Sequence, residues 1–107
     1  DKQFADKLQA ILEEQISNSE FAVDDLASVM GLGRSTFYRK VRGITGYSPN
    51  EYMRIIRMKK AAMLLQQKKF TVAEVMYMVG FSNHSYFSKC FQAEFGKTPR
   101  QYLNDGL

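Results

Sequence analysis

Apolar residues recur every three or four positions through most of the chain, which is the spacing of one face of an α-helix. The first such run consists of Phe4, Leu8, Ile11, Leu12 and Ile16. It predicts an amphipathic helix that ends in the polar segment 17–19. No segment of the sequence alternates apolar and polar residues over the length of a strand, so we predict an all-α fold.

Glycines divide the next part of the chain into two helices and a turn. A short helix is predicted over about residues 24–30, with two aspartates at its N-terminal end. The segment Gly31-Leu32-Gly33 breaks this helix. A further helix is predicted from about Arg34 to Thr45, and Gly46 ends it.

A long helix is predicted next, because its start carries three capping features. Ser48 can cap the N-terminus, Pro49 takes the first helical position, and Glu51 completes a capping box. No helix breaker interrupts the segment before about Gln67. The pattern predicts a continuous helix of about 18 residues, roughly 27 Å long at 1.5 Å per residue.

The same order of signals then starts again. Thr71 and Glu74 form a second capping box before a short helix that ends at Gly80. A helix from about His84 to Phe95 follows, and residues 98–101 repeat the proline-containing helix start.

Alignment of the two halves shows an internal repeat. Val23–Leu26 matches Val72–Val75, and one extra residue lies in the second turn. The further matches are Gly31 with Gly80, Ser35 with Ser85, Phe37 with Phe87, Val41 with Phe91, Gly46 with Gly96, Pro49 with Pro99 and Tyr52 with Tyr102. A helix-turn-helix unit needs these residue types at these places. We predict two helix-turn-helix subdomains, residues 1–47 and 69–107, joined by a long linker helix over residues 48–68. A helical bundle with accidental similarity is the alternative.

Charge is unevenly distributed, although the net charge is only +4. Residues 1–25 hold seven acids and two bases, and residues 71–107 hold three of each. Residues 34–70 hold ten bases against one acid, Glu51. Such a run can be an ordinary solvated face, but its place inside the repeated motif favours a polyanionic partner.

The second helix of a helix-turn-helix unit presents its N-terminal part to base edges in the major groove of duplex DNA. Phe37 and Val41 are expected to face the core of the first unit, and Phe87 and Phe91 that of the second. The outward side chains are long or hydrogen-bonding, as DNA contacts require. The predicted DNA-binding residues are Arg34, Ser35, Tyr38, Arg39 and Arg42 in the first unit, and Asn83, His84, Ser85, Ser88, Lys89 and Gln92 in the second.

Some of these residues have a more specific expectation. Arg39 and Lys89 occupy equivalent positions and are expected to reach bases or lie next to them, whereas Arg42 is expected at a phosphate. Ordinary surface positions are the alternative for the arginines. Tyr38 is as well explained by packing on a neighbouring helix, and Tyr86 is expected to pack partially.

No sequence motif indicates catalysis. The sequence has no Gly-rich phosphate loop, metal-ligand spacing or nucleophile motif, so we predict no enzymatic activity, no metal site and no cofactor. His84 is the only histidine, and Cys90 is the only cysteine, which excludes an internal disulfide. We expect Cys90 to be buried or half-buried. We also expect a cytoplasmic piece of a longer protein without membrane contact, because the chain starts at Asp1 and has no apolar run of membrane-span length.

A resemblance to a known family is carried by VGFSNHSYFSKCF at residues 79–91 and FGKTPRQY at residues 95–102. These segments resemble the DNA-binding domain of the AraC/XylS-type transcription regulators, in which a long helix links two helix-turn-helix units. The first unit, with MGLGRSTFYRKV at residues 30–41, most resembles the version at the C-terminus of bacterial hybrid two-component regulators. The resemblance covers almost the whole chain and implies that the outward residues of both units lie where the family contacts DNA.

Two positions depart from the pattern of the family. Gly33 aligns with Ser82, where the family often has Ser, so we expect a weaker cap on the first recognition helix. Lys40 replaces the usual apolar residue, so we expect a looser first core.

We therefore predict the sequence-specific, duplex-DNA-binding domain of a bacterial transcription regulator, with its recognition helices in successive major grooves. The resemblance implies an activator that also contacts RNA polymerase, and the isolated domain is expected to be a monomer. A helical protein-interaction module that docks through the acidic first helix is the alternative. RNA binding is disfavoured, because the sequence shows no aromatic stacking platform or RNA-binding motif.

Overall fold

The computed structural model describes residues 2–105, and every regular element in that range is an α-helix. The helices are α1 (Lys2–Glu14), α2 (Val23–Val29), α3 (Arg34–Thr45), α4 (Pro49–Gln66), α5 (Val72–Met78), α6 (His84–Phe95) and α7 (Pro99–Asp105). The expected all-α fold is confirmed. One long helix, α4, lies between two helical pairs, α2 with α3 and α5 with α6. In each pair a turn joins a short helix to a longer one.

Reciprocal hydrogen bonds fix the starts of three helices. At α4, Ser48 Oγ accepts from the backbone N–H of Glu51 at 3.2 Å, and Glu51 Oε1 accepts from the backbone N–H of Ser48 at 3.0 Å. The same exchange occurs at α5 and α7, between Thr71 and Glu74 and between Thr98 and Gln101. These bonds satisfy backbone donors that a helix start leaves without partners. The helix starts predicted from the sequence at these places are therefore confirmed.

The helices enclose two separate hydrophobic cores. The first core consists of Phe4, Leu8, Leu12, Val23, Leu26, Ala27, Phe37, Val41 and Met53. The second core consists of Met58, Ala61, Ala62, Leu64, Leu65, Val75, Met76, Val79, Phe81, Phe87, Cys90 and Phe91. The inward positions expected in α3 and α6 are confirmed, because Phe37, Val41, Phe87 and Phe91 have no exposed surface. Cys90 is buried, as expected.

Helix α4 belongs to both cores. Its 18 residues place Met53 in the first core and Met58, less than two turns later, in the second. It packs against α3 on one side of this change and against α5, α6 and α7 on the other. Each unit alone would have a marginal core, since the fraction of its surface that a chain buries on folding falls with length, to about 60% at about 60 residues. The shared helix therefore contributes to both cores and connects the two units.

Helix α1 ends at Glu14, earlier than the polar segment 17–19 at which the sequence predicted its end. Residues 15–17 form a turn, in which the N–H of Ile16 donates to the carbonyl of Glu13 at a long 3.4 Å. The side chain of Ile16 packs against the second core. The helix therefore stops early because its last apolar residue is used by the other unit.

Candidate nucleic-acid interface

The two turns between the paired helices share one backbone pattern. In the first, the N–H of Leu32 donates to the carbonyl of Ala27 at 3.0 Å, and in the second, the N–H of Phe81 donates to the carbonyl of Met76 at 3.0 Å. Each bond reaches back over a glycine with positive φ. An apolar side chain after the glycine then packs against the core of its own unit. This common geometry holds the second helix of each pair across the first, as a helix-turn-helix unit requires.

The caps of the two recognition helices differ. Asn83 is the N-cap of α6, and its Oδ1 accepts from the backbone N–H of Tyr86 at 2.9 Å. Gly33 is the N-cap of α3 and offers no side-chain bond. The alignment of Gly33 with Ser82 was wrong, because the extra residue of the second turn lies before the cap and makes Asn83 the structural counterpart. The weaker cap expected on the first recognition helix is confirmed by this comparison.

The outward face of α3 is basic. The side chains of Arg34, Ser35, Arg39 and Arg42 are exposed. Tyr38 is half-buried and packs against the first core, as its packing alternative requires, and part of its side chain stays exposed. The Arg34 guanidinium lies 5.6 Å from the centre of the Tyr38 ring.

Arg34 also pairs with a carboxylate of α2. Its Nη1 lies 3.7 Å from Asp24 Oδ2, and both side chains are about 70% exposed. An ion pair this exposed contributes little to stability, so exchange of the carboxylate for another anion costs little. The pair orients Arg34 at the start of α3 and leaves it accessible.

The outward face of α6 is polar and carries one cation. His84, Ser85, Lys89 and Gln92 are exposed, as is the capping residue Asn83. Ser88, on the same face, is half-buried. All eleven residues predicted from the sequence therefore lie on one of the two recognition helices or at its cap, and nine are exposed.

A groove of about 470 Å³ lies between the two units, next to the start of α6. Its lining includes Asn50 and Arg54 from the exposed side of α4, together with Asn83 and Tyr86. Tyr86 is 51% exposed, with its ring centre 5.6 Å from that of Phe81. The expected partial packing of Tyr86 is thus confirmed. The sequence did not single out Asn50 or Arg54 as residues of this groove, although Arg54 belongs to the basic run.

Several bases of that run make contacts within the protein. The guanidinium of Arg57 is half-buried and donates to two backbone carbonyls. Lys40 Nζ lies 4.7 Å from the centre of the Phe4 ring, so this lysine covers the first core. Lys68 Nζ donates to the carbonyl of Leu103. The ten bases of residues 34–70 therefore do not form one continuous face, and the sequence argument from their number was too broad.

Neither a metal-ligand cluster nor a membrane-spanning helix occurs among residues 2–105. No three His, Cys, Asp or Glu side chains in this range are grouped so that they could hold a metal ion. No helix in the same range is both long enough and apolar enough to cross a membrane.

Comparison with known protein families and curated proteins gives consistent matches. The helix-turn-helix domain family matches residues 26–105. Histidine kinase P4 of Formosa agariphila is 39% identical over 104 residues, which are 97% of this chain but 8% of the kinase. The chain spans no more than 37% of the length of two further curated relatives.

Two solved structures have the same fold. One is the DNA-binding domain of AdpA, a global transcriptional factor, in complex with a target DNA. It has a TM-score of 0.86 and 27% identity, and the match covers 92% of this chain and 88% of that one. The other is a transcriptional regulator from Chromobacterium violaceum, described among the AraC-type DNA-binding domain-containing proteins. It has a TM-score of 0.87 and 25% identity, covering 98% of this chain and 93% of that one.

Proposed function

The chain belongs to the family of AraC-type helix-turn-helix domains, and on that basis we propose that it is the sequence-specific, duplex-DNA-binding domain of a bacterial transcription regulator. One observation carries the proposal. The chain has two helix-turn-helix units, and in each the second helix exposes hydrogen-bonding and basic side chains at its N-terminal half. These are the side-chain types that read base edges and hold phosphates.

We assign base contacts to Arg39 and Lys89. They occupy equivalent positions, two residues after the fully buried Phe37 and Phe87, and both are exposed. A cationic side chain at this place on a recognition helix can donate to the O6 and N7 atoms of guanine. Arg42, one turn nearer the C-terminus than Arg39 and Tyr38, is assigned to a phosphate.

The remaining predicted contacts supplement these two. Asn83 accepts a capping bond through its Oδ1, and the two N–H donors of its amide are left for DNA. We assign further base or phosphate contacts to the exposed or half-exposed polar residues Arg34, Ser35, Tyr38, His84, Ser85, Ser88 and Gln92.

We further propose that the groove between the units faces the phosphate backbone between the two contacted major grooves. Asn50, Arg54 and Tyr86 can each donate to a phosphate oxygen, and all three are exposed. Such contacts position a protein on the duplex without reading its sequence.

A single chain has the dimensions for two grooves. Helix α4 has 18 residues and is therefore about 27 Å long at 1.5 Å per residue. Successive major grooves on one face of the duplex recur about every 34 Å, a difference that offset of the units or a modest DNA bend can absorb. Because the two recognition helices differ in sequence, we propose that one monomer covers an asymmetric site.

The rest of the proposal concerns the whole protein. The match to a histidine kinase suggests that this domain is the output end of a hybrid two-component regulator, and we propose that it activates transcription in contact with RNA polymerase. We also propose a cytoplasmic location, because a bacterial chromosome, the proposed target, lies in the cytoplasm.

Footprinting tests the proposal directly. A duplex is selected from a random pool with the isolated domain and then footprinted. We expect two protected clusters about one helical turn apart and a 1:1 complex. A 2:1 complex on a palindrome, at concentrations near Kd, would contradict the two-groove monomer. The absence of salt-dependent duplex binding would favour a protein-interaction module instead.

Alanine variants test the base contacts. Arg39→Ala and Lys89→Ala should each weaken binding to the selected duplex by about 1–3 kcal/mol and relax the preference at one or two positions. Lys59→Ala, an exposed position of α4, is the control and should leave the sequence preference unchanged. An unchanged preference in both test variants would reassign Arg39 and Lys89 to phosphates.

A further inference from the structure

One side chain of the linker helix is hydrogen-bonded to both units at once. Arg57 Nη2 donates to the carbonyl of Asn18 at 3.0 Å, and Arg57 Nη1 donates to the carbonyl of Gly80 at 3.2 Å. Asn18 lies in the loop after α1, and Gly80 lies in the turn between α5 and α6. The two carbonyls belong to segments 62 residues apart in the chain, and the guanidinium is the polar group that joins them.

The backbone of the second turn approaches this bridge closely. A Cβ atom at Gly80 would lie 2.6 Å from Arg57 Nη1 and 2.6 Å from the carbonyl oxygen of Ile16. At Gly31, the equivalent glycine of the first unit, a Cβ atom would meet nothing within 4 Å. The contact therefore does not follow from the repeat. It is specific to the place where the loop after α1 rests on the second unit.

The chemistry of the bridge favours a fixed geometry. A guanidinium is planar, and its N–H donors point in fixed directions, so two bonds from one group hold two acceptors at a set separation. Among residues 2–105 Arg57 makes no ion pair, and its hydrogen-bond partners there are two backbone carbonyls. Burial lowers the pKa of Arg57 from its usual value, but an arginine remains charged at neutral pH.

We propose that Arg57 is a positioning residue, which sets the orientation of one helix-turn-helix unit relative to the other and thereby the spacing between the two DNA patches that the domain accepts. Helix α4 alone leaves bending and twisting open, because long helices curve. The Arg57 bridge joins the units a second time, beside α4 and at the groove between them. The part of the proposal that concerns DNA spacing rests on the proposed function, whereas the part that concerns orientation does not.

The orientation is tested without DNA. Spin labels on Ser28→Cys in α2 and Glu94→Cys in α6, both exposed positions, are placed in a Cys90→Ala background. The distance distribution between the labels is then measured by pulsed electron resonance. In Arg57→Met we expect the mean to shift or the distribution to broaden by about 1–2 Å, the scale of helix shifts at packed interfaces.

Two further variants make the measurement decisive. Arg54→Met removes an exposed arginine of the same helix that lines the same groove, and it should leave the distribution unchanged. Arg57→Lys keeps the charge and the aliphatic stem but not the two-pronged geometry, so it should change the distribution in the same direction as Arg57→Met. If Arg57→Met does not fold, the result for Arg57→Lys decides. An unchanged distribution in a folded Arg57 variant overturns the proposal.

The effect on DNA spacing is tested by binding to the selected duplex with one base pair inserted between the two protected clusters. This insertion moves one patch by about 3.4 Å along the helix axis, so wild type should bind the altered duplex more weakly. In Arg57→Met the penalty for the insertion should be about two- to thirty-fold smaller, while in Lys59→Met, an exposed position of α4 outside the groove between the units, it should equal that of wild type. An equal penalty in Arg57→Met would overturn the link to spacing. If wild type binds no duplex, the proposed function fails, and the distance measurement still decides the role of Arg57.

Discussion

Alanine at Gly80 and alanine at Gly31 should differ in their effect on stability, although the two glycines are equivalent in the repeat. Both have positive φ, +83° for Gly80 and +74° for Gly31. In that backbone region an L-residue costs roughly 1–2 kcal/mol, because its Cβ crowds the following carbonyl. This backbone cost is common to both substitutions. Gly31→Ala should incur little more than that, since its Cβ would meet nothing within 4 Å.

Gly80→Ala adds a steric conflict to the backbone cost. Its Cβ would lie 2.6 Å from Arg57 Nη1 and 2.6 Å from the carbonyl oxygen of Ile16. The arginine can move only by giving up its bond to the Gly80 carbonyl. The oxygen of Ile16 is backbone and can move only with its loop. Overpacking of this kind costs typically about 1–3 kcal/mol, which is therefore the expected excess of Gly80→Ala over Gly31→Ala.

Denaturant unfolding of wild type and both variants measures this excess. At an unchanged denaturant dependence m, a change of stability shifts the denaturation midpoint, so the excess is the difference between the two midpoints multiplied by m. Gly31→Ala is the matched control for the backbone term. Equal losses of unfolding free energy in Gly80→Ala and Gly31→Ala would refute the close approach of Ile16 and Arg57 to the turn at Gly80.

Two further predictions concern the core and a helix cap. Phe37→Ala and Phe87→Ala should each lower the free energy of unfolding by about 3–5 kcal/mol, because each ring is fully buried and anchors a recognition helix; unchanged denaturation midpoints would show that the inward faces are misassigned. For Glu51, the hydrogen bond from the backbone of Ser48 lowers the pKa of the carboxyl below its usual 4.5. A lowered pKa in the folded state means that the stabilisation is present above pH 4.5 and is lost as pH falls below it. Wild type should thus lose stability relative to Glu51→Gln in acid thermal melts, and parallel pH profiles of the two proteins would contradict this.

Local signals explain why so much of the fold could be predicted. Helix α3 begins and ends at the residues that the sequence indicated, because a glycine stands at each of its ends. Helix α4 was equally predictable, since Ser48 and Glu51 bond to each other within one turn and Pro49 takes the first helical position. Signals of this kind depend on residues that are neighbours in the sequence. The internal repeat only strengthened the helix predictions that these signals had already given.

Contacts between distant segments account for what could not be predicted. In the sequence, Arg57 is one base among ten, and nothing near it indicates a bond to Asn18, 39 residues away. The early end of α1 has the same cause, because Ile16 packs on a core formed by the other half of the chain. The cap at Asn83 was misaligned for a different reason: an inserted residue can be placed on either side of Ser82 without changing the match of the helices.

The two recognition helices are held with unequal firmness, and this bears on which unit can change its specificity. In the second unit, Asn83 caps α6, and the turn at Gly80 is enclosed by Arg57 and the loop after α1. In the first unit, Gly33 caps α3 without a side-chain bond, and a Cβ at either Gly31 or Gly33 would meet open space. A Cβ at Gly33 therefore meets no neighbouring atom and one at Gly31 carries only the cost of its positive φ, whereas a Cβ at Gly80 also disturbs the junction of the units. It follows that the turn of the first unit can be altered while the arrangement of the two units is kept.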